Sequence, residues 1–315
     1  IYDVFSEKSL YQKKIRVHNS GFRRIAHFLS DKIYYVLLGQ KGSFDTRLSY
    51  VTVSENSNGG RTYKLQISDS DGFNPQTVVR SSNPILSPAW SKDQKKLAYV
   101  SFKNNRSEVF VMTPFLKTIP IKLPKFDGIA SSPAWHPDGE SIALTISKNG
   151  NKDIYLYNIN SKKLKRLTKN ISIDTEASFS PNGDKIAFTS NRTGQVQVYI
   201  KDLKSKKISR ATFEGRYNAK PVFSPDGKDL ALIHRVGKDY RLALLDIASR
   251  DLTVMTQNKS DESPYFSPNG GMIIYSTNRD NKGILSIISL HNNQVVELMQ
   301  KEGEVREPSW SNYSN

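Results

Sequence analysis

The feature that most constrains this chain is a repeat. Six short segments carry one signature: Ser87-Pro88-Ala89-Trp90-Ser91, Ser132-Pro133-Ala134-Trp135-His136, Glu176-Ala177-Ser178-Phe179-Ser180, Lys220-Pro221-Val222-Phe223-Ser224, Ser263-Pro264-Tyr265-Phe266-Ser267 and Glu307-Pro308-Ser309-Trp310-Ser311. Their aromatic residues lie 45, 44, 44, 43 and 44 positions apart. So regular a period means that one supersecondary unit is stacked against copies of itself.

The unit can be read from its punctuation. Four anchors run into a proline turn, at Pro137-Asp138-Gly139, Pro181-Asn182-Gly183, Pro225-Asp226-Gly227 and Pro268-Asn269-Gly270. Proline presets its own φ and glycine accepts a positive one, so each marks a tight strand reversal. An alternating strand follows, such as Lys185 to Ser190, then a polar turn over 191–195. A third strand over 196–203, a lysine-bearing turn and a short fourth strand over 208–212 complete the unit. Four antiparallel strands at this period match a β-propeller blade, with the anchor aromatic between blades. The sixth anchor is followed by too few residues for a blade. Residues 46–86 supply strands at 47–53, 63–68 and 77–80, so the C-terminal strand near 308–311 should complete the first blade and close a six-membered ring. The fold class expected is mainly β: a six-bladed propeller over 43–315, preceded over 1–42 by the C-terminal part of a small, truncated α/β domain. In that leading segment Phe22, Ile25, Ala26, Leu29, Ile33, Val36 and Leu37 recur at helical spacing, with Ser20 as the expected cap and Gly39 as the stop. Short strands are expected at 1–5 and 15–17.

Composition sets limits on function. The longest apolar run, 33–38, is far short of the roughly 18 residues needed to cross a bilayer. The chain opens at Ile1 with no charged-then-apolar leader, as a processed or truncated form would. The absence of cysteine removes disulfides, thiol nucleophiles and thiolate metal sites, and fits the cytosol and an oxidising periplasm equally. His18, His27, His136, His234 and His291 fall in different elements without metal-ligand spacing, so no metal and no cofactor is expected. Nucleophile elbow, phosphate loop and dinucleotide fingerprint are all missing, and no catalytic residue is assigned. Paired acids such as Asp261-Glu262 read as solvated loop carboxylates.

Lys plus Arg outnumber Asp plus Glu by 46 to 30, a net charge of +16, which raises nucleic acid or an anionic membrane surface as a partner. The location of the charges argues against nucleic acid. In a blade, the turns after strands one and three lie on one face; the turn after strand two and the crossing to the next blade lie on the other. Lys162-Lys163 and Lys204-Ser205-Lys206-Lys207 fall on third-strand turns, without the interleaved aromatics of a single-strand binder. The crossings instead carry Asp127, Asp174, Glu176, Glu214, Asp261, Glu262, Glu304 and Glu307, with Phe126, Ile129, Ile171 and Tyr217 among them. Acids and apolar groups around a central channel suit a docked polypeptide and not a phosphate.

Three stretches resemble the TolB family of the Tol–Pal system: Phe22 to Leu38 followed by Gly39-Gln40-Lys41-Gly42-Ser43-Phe44-Asp45-Thr46-Arg47; Ser68-Asp69-Ser70-Asp71-Gly72-Phe73-Asn74; and Pro84-Ile85-Leu86-Ser87-Pro88-Ala89-Trp90-Ser91. The resemblance covers essentially the whole chain. It implies a monomeric, non-enzymatic periplasmic protein with an N-terminal α/β domain that engages TolA and a propeller face that binds the peptidoglycan-associated lipoprotein Pal. That places the protein peripherally at the outer membrane, in support of envelope integrity and division, with colicins exploiting the same face. Matching the family's loops assigns Pal contacts to Leu86, Ser87, Phe126, Ile129, Thr175 and Glu176. Asn218, Asp261, Glu262 and Glu307 join them as occupants of equivalent crossings. Phe126 departs from the histidine the family can carry there, and the family's TolA-binding segment precedes Ile1. The competing reading is a propeller that gates or presents substrate to a peptidase or hydrolase, which would need an attached domain carrying a serine triad.

Overall fold

The computed structural model describes residues 1–16, 21–103, 106–116, 118–298 and 303–313, the side chain of Lys103 excepted. The repeat folds into six four-stranded antiparallel meanders arranged as a propeller. The inner strand of each blade holds an anchor: Ile85–Trp90, Ile129–Trp135, Asp174–Phe179, Asn218–Phe223, Glu262–Phe266 and Glu304–Trp310. We number the blades by the order of their second strands, so Glu304–Trp310 belongs to blade 1 and Ile85–Trp90 to blade 2.

The second strands depart from the expected alternation of apolar and polar residues. In Lys185–Ser190 every residue after the first is buried, and the apolar runs at 142–144, 230–233 and 273–275 are buried throughout. The cause is geometric: both faces of each sheet are covered by neighbouring blades, so the period-two pattern that marks a half-buried strand is lost. The core is accordingly divided into six layers, one per inter-blade space, and each contains one anchor aromatic: Trp90, Trp135, Phe179, Phe223, Phe266 or Trp310. Burying each such side chain stabilises by about 1.5–3 kcal/mol through apolar area alone.

The ring closes between the chain's two ends, as the repeat arithmetic requires. Glu304–Trp310 pairs antiparallel with Arg47–Glu55, in a register that sets Trp310 opposite Leu48 and Glu304 opposite Val53. The Trp310 indole Nε1 donates to Thr46 Oγ1 at 2.8 Å, and Arg47 and Ser311 exchange two bonds, at 2.9 and 2.8 Å. The proline turns share a local device. In Ser224 to Asp229, the Ser224 hydroxyl donates to Asp226 at 2.6 Å and accepts the Asp229 N–H at 2.9 Å. Gly227 takes φ +76, which a side chain would disfavour.

The leading segment contains helix α1, Phe22–Leu38, stopped by a left-handed Gly39 whose N–H returns to the Tyr35 carbonyl. Its cap position is Gly21, with no side-chain bond; the expected cap Ser20 lies outside the described residues, as do Val17 and His18. The expected pair of strands is corrected to a minimal hairpin, Tyr2–Asp3 with Lys8–Ser9, while Ile15 and Arg16 are in no strand. A two-residue ladder followed by a polar stretch offers no partner to a strand at 15–17. Likewise, the fourth strand of blade 4 stops at Arg210, because Ala211 and Thr212 turn inward into the crossing.

Helix α1 rests on the face formed by the turns after strands one and three. Asp31 accepts the N–H groups of Phe44 and Asp45 at 2.8 and 3.1 Å, Tyr34 shares a 2.8 Å hydrogen bond with His291, and Arg23 reaches Asp69 and Asp71. Gly42 passes so close to Asp31 that a Cβ would overlap that residue's backbone.

Because Trp310 joins the closing strand to two blades, Trp310→Ala is expected to lower stability by about 3–5 kcal/mol in denaturant unfolding. The exposed Val296→Ala should change it by less than about 0.5 kcal/mol. Equal effects would mean that the closure does not hold the ring.

Candidate functional site: the crossing face and axial channel

Each inner strand is interrupted by a β-bulge at the first residue of its anchor. The register shifts between Leu86 and Ala89, and equivalently in the other five blades. At each bulge a non-glycine residue takes a positive φ: Ser87 (52), Ser132 (48), Glu176 (57), Lys220 (53), Ser263 (52) and Glu307 (52). Such a conformation costs about 1–2 kcal/mol per residue. Its return is placement, since the six side chains form a ring in the wall of an axial channel of about 650 Å³.

The ring holds three serines, two glutamates and one lysine. Glu307 of blade 1 and Glu176 of blade 4 stand three blades apart and act alike: each carboxylate accepts the bulge N–H of the next blade. Glu307 takes that of Ser87, and Glu176 that of Lys220 at 3.3 Å. The Lys220 N–H is also held by Thr189 Oγ1 at 3.0 Å, and Thr189 donates to Glu176 at 3.0 Å. Lys220 extends its ammonium to Ser263 Oγ at 3.2 Å. Burial pushes the Glu307 carboxyl above its ordinary range, while the bond from Ser87 and the charge of Lys220 oppose the shift. Burial, followed by the charges of Glu176, Tyr240 and Glu262, pushes the Tyr217 phenol up, so this half-buried ring stands between carboxylates of blades 4 and 6.

The ten residues singled out from sequence all fall on inner strands or the crossings before them, on one face. Leu86, Ser87, Glu176 and Glu307 line the channel. Ile129 and Glu262 are exposed at the mouth, and Thr175 is half-buried beside Glu176. Three assignments need correction as to accessibility. Phe126 is buried, packed edge-on against Tyr157 at 5.4 Å, where it shapes the loop from within. Gly128, next along, donates back to the Phe126 carbonyl at 2.8 Å and has φ +146 with no room for a Cβ; the resulting turn projects Ile129 outward.

Asn218 and Asp261 are wholly buried. Asn218 bonds Gln197 Oε1 at 3.0 Å, the Glu214 carbonyl at 2.8 Å and the His234 ring at 2.9 Å. Asp261 accepts from the Leu242 N–H at 3.1 Å, from Asn258 at 2.9 Å and from Thr256. Asp174, counted among the surface acids from sequence, is also buried, in a two-oxygen pair with Arg192 at 2.9 Å. These groups fasten crossings to blades. The signal that could have shown it is a second repeat, Thr168, Thr212 and Thr256. Their hydroxyls accept the N–H groups of Ile154, Val198 and Leu242 at 3.0, 3.0 and 3.1 Å.

Sequence reading also missed that the first residue of each anchor faces the channel, and so passed over Ser132, Lys220 and Ser263. In five of the six anchors this residue precedes a proline, the exception being Glu176 of blade 4, which precedes Ala177; a residue before proline is expected to be extended. Away from this face, His27, Asp69 and Asp71 come within 4.8 Å of one another, a group capable of holding a metal by geometry. Arg23 already lies 3.2 Å from Asp69 and 2.6 Å from Asp71, and Arg47 also pairs with Asp69, so the acids are neutralised by guanidinium groups.

Residues 34–314 match the family model described as the TolB beta propeller domain. The chain belongs to the TolB family. It is 65% identical over 313 residues to the Tol-Pal system protein TolB of Ruthia magnifica, covering 99% of this chain and 74% of that protein. It is 51% identical over 312 residues to that of Nitrosococcus oceani, covering 99% and 71%. The crystal structure of TolB from Acinetobacter baumannii superposes with a TM-score of 0.93 at 40% identity, covering 99% of this chain and 78% of that one. The propeller fold described above is therefore shared with that structure. Among the described residues no helix is long and apolar enough to cross a membrane.

The raised Glu307 carboxyl gives a signed expectation. It binds its proton more tightly folded than unfolded, so stability falls as pH rises from the unfolded value through the folded one. Glu307→Gln removes this contribution: its melting temperature relative to the parent should increase as pH rises above the ordinary glutamate range. A difference independent of pH would show that the carboxylate is not destabilised by its site.

Proposed function

We infer that the chain is a non-enzymatic docking platform of the Tol–Pal system, acting in the periplasm, and that its crossing face receives the lipoprotein Pal. Membership of the TolB family supports the system. The observation that carries the partner reading is the composition of one open face. On the crossings Ile129 and the almost fully exposed Ile171 share this face with the exposed Glu214 and Glu262, and Glu176 lines the channel beside them. Exposed apolar anchors beside acceptors that can take peptide N–H groups suit a folded loop inserted at the axis. The channel carboxylates are engaged by backbone N–H groups and a threonine hydroxyl, an arrangement that holds a shape and leaves no base paired with a nucleophile.

In this reading the contact set is Leu86, Ser87, Ile129, Thr175, Glu176, Glu262 and Glu307. Phe126 acts by supporting Ile129, and Asn218 and Asp261 act by holding their crossings. Residues 1–42 form the C-terminal part of the domain through which TolA is engaged, on the opposite face, and 43–315 form the propeller. The protein acts as a monomer, attached to the outer membrane through Pal, and colicins compete for the same face.

Titration calorimetry with Pal of the same organism tests this. Ile129→Asp and Glu176→Lys should each weaken binding at least tenfold, about 1.4 kcal/mol, since one buries a charge and the other reverses one. Lys204→Glu, on the other face, should leave affinity unchanged. Full affinity in both crossing-face variants would overturn the reading.

A further inference from the structure

The face opposite the crossings carries a feature that partner docking at the channel does not use. The turns after the third strand span five residues in blades 3 to 6, at 159–163, 203–207, 247–251 and 290–294, but eight in blade 2, at 113–120. Apolar residues of this turn and of the strand that follows it are uncovered. Phe115, Leu116, Ile119 and Ile121 are all exposed, Ile119 to 91%. Phe115 also has φ +63, an unfavourable conformation for an aromatic residue, and no interior packing accounts for it because the ring points to solvent. The loop is nonetheless anchored, by the buried Pro114 before it and the buried Leu123 after it.

The next two blades along the rim supply charge. Their equivalent turns, Ile-Asn-Ser-Lys-Lys at 159–163 and Leu-Lys-Ser-Lys-Lys at 203–207, contain five lysines and no acid, and 113–120 contains no acid either. Lys162, Lys163, Lys204, Lys206 and Lys207 are exposed, and none forms an ion pair among the described residues. Asp202, at the foot of the blade 4 turn, is folded back onto the N–H groups of Lys204 and Ser205 at 3.1 and 2.7 Å. Closer to the axis on the same face, the turns after the inner strands carry Asp93, Asp138, Glu140, Asp184 and Asp226, so the excess of positive charge belongs to the outer rim and not to the face as a whole.

We propose that this rim is a contact site for an anionic phospholipid surface, with Phe115, Leu116, Ile119 and Ile121 inserted and the lysine turns of blades 3 and 4 lying against the headgroups. A projecting apolar tip beside unpaired lysines is the arrangement that interfacial binding requires: the tip gains by leaving water, and the lysines gain from the negative surface potential. A protein partner would need a wide, shape-complementary patch, whereas here the apolar part is one loop and the charged part is spread around an edge. The site lies on the face opposite the Pal contacts and does not depend on them.

Vesicle co-sedimentation with the chain measures it directly. Binding to phosphatidylglycerol–phosphatidylcholine vesicles should exceed binding to phosphatidylcholine alone by about tenfold and should fall as salt is raised. The double variants Phe115→Asp/Ile119→Asp and Lys162→Glu/Lys163→Glu should each lose most of that binding, while Ile171→Asp, on the crossing face, keeps it. The lysine pair is exposed and forms no ion pair among the described residues, so its variant keeps the parent fold and decides the matter even if the loop variant is unstable. No binding to anionic vesicles, equal binding to neutral ones, or full binding by the lysine variant would each overturn the proposal.

Discussion

The structure depends on one contact type repeated six times: an aromatic side chain at the end of an inner strand, buried between two sheets. No blade has a core of its own. Each sheet is apolar on both faces and becomes stable only when a neighbour covers each one, so blades cannot be added or lost independently and the ring must close. Closure falls to the pairing of the last strand with the first full one, where Trp310 and Thr46 unite residues more than 260 positions apart. That one ladder turns a stack with two exposed ends into a wheel with none.

The division of labour between the faces follows from the meander. Every inner strand runs in the same sense, so all crossings emerge on one side and all proline turns on the other. Six bulges at the same position then bring three serines, two glutamates and a lysine to the axis, where the bulge N–H groups of Ser87 and Lys220 are taken up by Glu307, Glu176 and Thr189. Variation of the residues on a constant backbone gives the channel its character. Blade-to-blade differences matter in the same way at the rim, where an extended apolar turn in blade 2 adjoins lysine turns in blades 3 and 4.

Burial separates the residues of the crossing face into two kinds that sequence position alone does not distinguish. Asp174, Asn218 and Asp261 are enclosed and fully bonded, and hold the crossings in place; Ile129, Ile171 and Glu262 are presented to solvent. Substituting the first group would disturb the face by loosening its support, since each leaves partners unsatisfied inside the protein. Substituting the second alters the surface and leaves the scaffold intact.

The sequence by itself determined the number of blades, the four-stranded unit, the proline turns, the helix over 22–38 and the joining of the two ends, because all of these follow from local turn chemistry and a constant period. It also determined which face each segment belongs to, since that depends only on strand count. What only the tertiary structure decided was accessibility. Whether a carboxylate in a crossing meets solvent or an arginine, whether Phe126 points out or in, and which residue of each anchor faces the axis depend on bulges and on contacts between blades. Those contacts join residues far apart in the chain, and no local pattern encodes them.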